Sequence, residues 1–246
     1  MKRLNWQILL GLSLIALSAL LYFIHYAVFR DAHHIFIYMV GDIAFVPIEV
    51  LLVTLIIHRL LSEREKRSML HKLNMVIGAF FSEVGTRLLK SFYHFDTHAD
   101  TIRGNLIVAK EWSAKDFSRT LKHLKNHDYI IDAKKGDLGD LQRYLVGKRD
   151  FLLRLLENPN LLEHESFTEL LWAVFHLTEE LAHRKDVKQL PDTDYEHLSG
   201  DIKRAYDLLI SEWLAYMKHL KSDYPYLFSL SIRINPFDPN ASPEVK

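Results

Sequence analysis

The sequence predicts an all-α protein, with an N-terminal two-helix transmembrane hairpin followed by a cytoplasmic helical bundle. Three observations carry that prediction. Charge is unevenly spread over the 246 residues: four Lys and Arg (Lys2, Arg3, Arg30, Arg59) and three acids (Asp31, Asp42, Glu49) occur up to Leu61, against 27 basic and 28 acidic residues after it. The two apolar stretches flanking Arg30 each exceed the roughly 20 residues that cross a ~30 Å hydrocarbon layer. Beyond Leu61 the apolar residues recur at intervals of three and four, the helical period. The balance of 31 basic against 31 acidic residues hides this division and excludes a charge bias toward nucleic acid. Zero cysteine excludes disulfide frameworks, thiolate zinc sites and cysteine nucleophiles. The expected organisation is a hairpin over 1–61, a helical domain over 62–235 and a disordered tail over 236–246.

The first span, about 5–29, ends in Tyr22, Phe23, Tyr26 and Phe29 rather than in the small residues of a cleavage site, and is too long for a signal peptide. The second, about 34–60, follows a short turn around 30–33. So short a link holds both ends on one side of the bilayer, hence an antiparallel pair. Lys2 and Arg3 before the first helix, and Arg59, Arg64, Lys66 and Arg67 after the second, outnumber the single Arg30 of the turn, which Asp31 offsets. By the positive-inside rule both termini are expected in the cytoplasm and the protein in the inner membrane, as a multi-pass protein. Tyr22, Phe23, Tyr26, Phe29, Phe36 and Tyr38 gather toward the turn as an aromatic belt, and Trp6 marks the opposite interface.

Asp42 and Glu49 stand out, because an acid in hydrocarbon is costly unless neutralised, paired or hydrated. Seven residues make about two turns, so both carboxyls lie on nearly one face, about 10 Å apart along the axis. Counting inward from the turn places Tyr22 and His25 opposite Asp42, and Ser13 near Glu49, as partners in an intramembrane polar site. Pro47, between the acids, deprives the Ile43 carbonyl of its helical donor and is expected to kink the helix. One reading is a proton or cation relay. The plainer one is structural: protonated carboxyls bonding across the hairpin or to a second copy.

After Arg59 a helix is expected to continue to about Tyr93. Ser62-Glu63-Arg64-Glu65 resembles a capping box, and Met69, Leu73, Val76, Ile77, Phe80, Val84, Leu88 and Phe92 form an apolar series at the centre of the domain. Further helices are expected over 97–112, 114–127, 137–158, 166–185 and 194–222, with breaks at Lys134-Lys135-Gly136, Asn158-Pro159-Asn160 and Leu190-Pro191-Asp192. Leu198, Ile202, Leu209, Trp213, Tyr216 and Leu220 line one face of the last long helix. In YPYLFSLSIRINPF, from Tyr224, alternation suits a short strand, a helical turn fits nearly as well, and the aromatics are expected on the bundle or a membrane surface.

Candidate chemistry in the domain is sparse. Glu83, in apolar surroundings, is a possible buried acid with a raised pKa; the plainer reading pairs it with Arg87 one turn on. Glu180-Leu181-Ala182-His183 has the Glu-x-x-His spacing of di-iron bundles, with His176 one turn earlier, but no second such motif occurs. On a helical wheel Phe167, Leu170, Leu171, Val174, Thr178 and Leu181 form the core face and Glu169, His176 and His183 lie opposite. His176, Glu180 and His183 are therefore the weak candidates for a metal, with pairs Glu179–His183 and Glu180–Arg184 as the simpler account, and neither metal nor cofactor is expected. Walker, Rossmann, nucleophile-elbow and His-Glu-x-x-His motifs are absent, and catalytic residues are not identified.

GDIAFVPIEVLLVTLII (from Gly41), KLNMVIGAFFSEVG (from Lys72) and YPYLFSLSIRINPF (from Tyr224) are similar to a group of uncharacterised prokaryotic two-span membrane proteins with a cytoplasmic helical domain. The resemblance implies that Asp42, Pro47, Glu49, Asn74, Glu83 and the tail belong to a shared plan, and it implies no activity. The expected function is a membrane-anchored regulatory, sensory or scaffolding protein, with the lipid bilayer and a homo-oligomer or membrane protein as partners. The alternatives are an oligomeric cation or proton channel or transporter subunit using Asp42 and Glu49, and a metal-dependent enzyme of the bundle.

Overall fold

A computed structural model describes residues 2–125, 127–161 and 164–245. The side chains of Lys2, Arg3, Lys66, Arg67 and Met69, and the roles expected of them, lie outside the described residues. Among the described residues all regular structure is helical, apart from one isolated antiparallel bridge between Asp96 and Ile131. The chain divides into two units, Met1–Lys66 and Arg67–Lys246.

The first unit holds α1 (Lys2–Phe29) and the start of α2 (Ala32–Phe80). The turn between them is only two residues long. Arg30 adopts a left-handed backbone (φ 50°), and its amide still donates to the Tyr26 carbonyl at 2.8 Å, which ends α1. Asp31 then caps α2, its Oδ1 accepting from the His33 and His34 amides at 3.0 and 3.1 Å. The stretches Ile8–Phe29 and Ala32–Glu65 are both long and apolar enough to cross a bilayer, and neither is buried within the protein. Ser62 lies inside α2, so the capping box read there is no helix start; a true capping box joins Ser113 and Asp116 at the head of α5 (Ala114–Leu124).

In the second unit the helical chain continues through a π-helical turn, Phe81–Gly85, into α3 (Thr86–Tyr93). The turn is closed by the Thr86 amide and hydroxyl, both donating to the Phe81 carbonyl. It seats two successive phenylalanines, Phe80 and Phe81, in the core. A Cβ on Gly85 would stand 2.5 Å from the Phe81 ring and 2.9 Å from that of Phe80. Leu73, Ile77, Phe80, Val84, Leu88 and Phe92 are buried, as their spacing predicts.

The remaining helices are α4 (Ala99–Leu106), α5, α6 (Leu138–Leu156), α7 (Glu165–Ala182), α8 (Asp192–Asp223) and α9 (Pro225–Arg233), with a short 3-10 turn at Pro159–Leu161. Helix α7 packs against both α6 and α8, and α8 also carries α3, α5 and α9. Of its predicted face Leu198, Ile202, Leu209, Trp213 and Leu220 are buried and Tyr216 is half-buried. Aromatic contacts knit the centre, with Phe80 edge-on to Phe167 at 5.3 Å and Phe81 stacked on Tyr216 at 5.2 Å.

Three features of the chain go beyond what its sequence fixes. Helix α4 stops at Leu106 rather than near Trp112, because the amide of buried Asn235 donates to the Leu106 carbonyl at 2.9 Å and Val108 turns into the core. Of the two readings open for the segment from Tyr224, the helical one holds, with Pro225 at its first position and Phe228 buried. The tail read as disordered is packed at its start: Phe237 is 3% exposed, edge-on to Trp213 at 5.3 Å, and the Pro243 carbonyl accepts from Arg233.

Candidate functional site

Asp42 and Glu49 are exposed on α2, and among the described residues neither carboxylate has a hydrogen bond or ion pair. Tyr22 and His25, expected as their partners, do not reach them. The His25 ring lies instead against Phe29 (4.7 Å) and, across the turn, near His34 (6.1 Å), which itself meets Tyr38 edge-on at 4.7 Å. With a two-residue link, the residues that face each other most closely are those beside the turn.

Glu83 is not a buried acid. It is exposed, on the side of the π turn opposite Phe81 and Val84, and its carboxylate pairs with Lys148 of α6 at 2.8 Å. That hydrogen bond holds its pKa below the usual value, so of the two readings the salt-bridged one holds in kind, with Lys148 rather than Arg87 as the partner. Arg87, the partner expected for Glu83, pairs with Asp140 and lies over the Tyr144 ring at 4.1 Å. Burial pushes the Tyr144 phenol up to about 12.

The most concentrated set of ionisable groups lies where α7 meets α8. Helix α7 contributes His176 and Glu180, and α8 contributes His197 and Asp201, each pair spaced i,i+4 and so on one face of its helix. The His176 Nε2 is 3.5 Å from Asp201 Oδ2 and 3.9 Å from Glu180 Oε1. The His197 Nε2 is 3.3 Å from the same Asp201 Oδ2 and 3.7 Å from Glu180 Oε2. Asp201 is 3% exposed; Arg204 contacts its Oδ1 at 3.3 Å, while among the described residues its Oδ2 has no hydrogen-bond partner. Arg184 holds Glu180 Oε2 at 2.7 Å, as the i,i+4 spacing predicts, and that hydrogen bond keeps the Glu180 carboxyl below its usual pKa.

His183, in the sequence-derived triplet, is not part of this cluster. It caps the end of α7 with Nδ1 2.7 Å from the Glu179 carbonyl, while the Glu179 carboxylate pairs with Arg149 at 2.6 Å rather than with His183. The predicted core face of α7 is borne out, since Phe167, Leu170, Leu171, Val174, Thr178 and Leu181 are all buried. The stripe opposite is not uniformly solvated, because its His176–Glu180 edge leans on α8. The sequence signal that would have found the cluster is the repeat of His-x-x-x-acid, at His176–Glu180 and His197–Asp201, on two helices joined by a short break.

A family model described as "MJ1433, N-terminal helical domain" matches residues 2–61, and another, "Uncharacterized protein MJ1433, C-terminal helical domain", matches residues 69–233. The chain is 50% identical over 234 residues to the uncharacterized protein MJ1433 of Methanocaldococcus jannaschii, an alignment that covers 95% of this chain and 94% of that protein. No solved structure matches it.

Proposed function

The chain belongs to the MJ1433 family, and from that premise we propose that it is a membrane-anchored regulatory, sensory or scaffolding module whose hairpin sits in the cytoplasmic membrane with both termini on the cytoplasmic side. One observation carries the anchoring. Leu9, Ile15, Phe23, Phe36, Ile43 and Leu60 are each more than half exposed, and they point to different sides of α1 and α2. Water would leave this apolar surface unburied at about 25 cal/mol per Å², whereas lipid covers it, and the helices already satisfy their backbone groups internally. The basic residues flanking the spans set the orientation.

The unpaired carboxyls of Asp42 and Glu49 support self-association. Among the described residues the two helices offer them no partner, and a second copy presents the same acidic face for interhelical hydrogen bonding.

The cysteine-free sequence makes the test clean. His33→Cys, beside the turn at the start of α2, and Glu244→Cys near the other end are labelled separately with a membrane-impermeant maleimide, on intact and on lysed cells, after checking retention in alkaline carbonate. Labelling of the turn on intact cells, with labelling of Glu244→Cys only after lysis, is expected. Release of the chain by carbonate overturns the anchoring, and the opposite labelling pattern overturns the orientation.

A further inference from the structure

We propose that His176, Glu180, His197 and Asp201 form a site for one divalent d-block cation of the zinc type, clamping the C-terminal half of α7 to the N-terminal half of α8. The inference does not depend on the membrane anchoring.

Geometry is its first support. The His Nε2 atoms lie 3.3–3.9 Å from the carboxylate oxygens of Glu180 and Asp201. Ligands at zinc distances of about 2.0–2.2 Å in a tetrahedron stand roughly 3.3–3.5 Å apart, so the nearer contacts already have that spacing and the longer ones need a contraction of about 0.5 Å. The i,i+4 pairs bring ligand atoms of His176, Glu180 and His197 from two packed helices within 4.8 Å of one another, with Asp201 against both imidazoles, so no loop has to fold around the ion.

The second support is Asp201. A carboxylate buried to 3% exposure normally spends its acceptor capacity on hydrogen bonds, yet among the described residues its Oδ2 has none, and it faces both imidazoles. Arg204 contacts the other oxygen, which fixes how the carboxylate presents Oδ2. From the α7–α8 break Arg184 holds Glu180 Oε2 at 2.7 Å, which leaves Oε1, 3.9 Å from the His176 Nε2, as the oxygen Glu180 offers. Such supporting partners orient metal ligands and raise affinity.

Ligand type sets the class of ion. Imidazole nitrogen suits zinc and its d-block neighbours, while calcium and magnesium take oxygen sets. His176 and His197 are 47% and 51% exposed at their side chains, which gives an ion a path from solvent.

The test uses the full chain in detergent, stripped with a chelator and titrated with zinc chloride by calorimetry, with cobalt as an absorbing substitute. Expected are one zinc per chain, a visible cobalt spectrum of low-symmetry nitrogen–oxygen type, and a rise in thermal midpoint on zinc addition. His176→Gln and His197→Gln each lower zinc affinity at least tenfold and remove the cobalt spectrum, and Asp201→Asn acts likewise. His183→Gln binds as the parent does. Helical content by circular dichroism is measured for each variant, and the exposed His176 and His197 serve where Asp201→Asn fails to fold. Absence of saturable zinc binding, unchanged affinity in both His176→Gln and His197→Gln, equal loss in His183→Gln, or calcium binding as tight as zinc overturns the proposal.

Discussion

The Arg184 guanidinium grips Asp194 with two nearly parallel hydrogen bonds, Nε to Oδ2 at 2.8 Å and Nη2 to Oδ1 at 2.6 Å, across the break between α7 and α8. Its third nitrogen reaches Glu180 at 2.7 Å, and the Arg184 side chain is only 15% exposed. The same residue thus closes the connection and orients one carboxylate of the histidine cluster. Arg184→Met leaves two partly buried carboxylates unpaired and is expected to cost about 2 kcal/mol. For a domain of this size that lowers the thermal midpoint by roughly 4–8 °C, read by circular dichroism. Arg184→Lys recovers little, because an ammonium cannot supply the fork.

The same pairs set an acid limit. Hydrogen bonds from Arg184 hold both Glu180 and Asp194 below their ordinary pKa values of 4.5 and 3.8. A carboxyl whose folded pKa is depressed contributes stability above its unfolded pKa and loses it as pH falls through the folded value. The difference in thermal midpoint between the parent and Arg184→Met is therefore expected to be full at pH 6 and to shrink below about pH 4. A difference that grows on acidification contradicts the assignment.

Gly136 lies against the buried Phe95, and a Cβ there would come within 2.5–2.6 Å of the ring. Gly136→Ala is expected to destabilise by about 1–3 kcal/mol through overpacking. Adding Phe95→Leu makes room, so the double variant is expected to lose less than the two single losses added together. Additive losses in denaturant titrations would show that the two positions do not clash.

Tyr206 is fully buried, edge-on to Phe92 and Tyr129, and its hydroxyl has no hydrogen-bond partner among the described residues. Burial accordingly pushes its phenol well above the usual value. Tyr206→Phe removes an unmatched polar group and is expected to hold or raise stability, by up to about 1 kcal/mol, whereas Tyr206→Ala costs about 3–5 kcal/mol. A loss above 1 kcal/mol in Tyr206→Phe, on the scale of a lost hydrogen bond, would reveal a bonded hydroxyl.

In the hairpin, Asp42→Asn combined with Glu49→Gln keeps apolar length and hydrogen-bonding capacity while removing both charges. Carbonate-resistant membrane retention is expected to be unchanged. Oligomer mass in mild detergent, measured by light scattering, is expected to stay above the monomer because the amides still bond across helices, while Asp42→Leu with Glu49→Leu returns it to the monomer. A parent chain that is strictly monomeric removes the self-association reading.

Periodicity made most of the helical plan legible. Along α7, the series from Phe167 to Leu181 recurs at three and four residues, and all six of its predicted core positions are buried. The same rule misplaced Glu83, because a run that is apolar almost all round does not say which edge meets solvent; the π turn and the neighbouring α6 decide that, and they turn Glu83 toward Lys148. The strand-like alternation near the end was equally ambiguous. A proline at the first position of α9 and the docking of Phe228 resolve it as helix.

The sequence by itself determined the division into two apolar N-terminal helices and a charged helical domain, the place of the turn between those two helices, the core face of α7 and most of that of α8, and the family. Those features depend on composition and on spacing within one segment. Only the tertiary structure decided that His176 meets His197 rather than sharing a site with His183, and that Arg184 rather than water partners Asp194. The reason is physical. Helical spacing fixes which residues share a face, but the pairing of faces depends on how two helices cross, and that crossing is set by buried side chains contributed from every part of the domain.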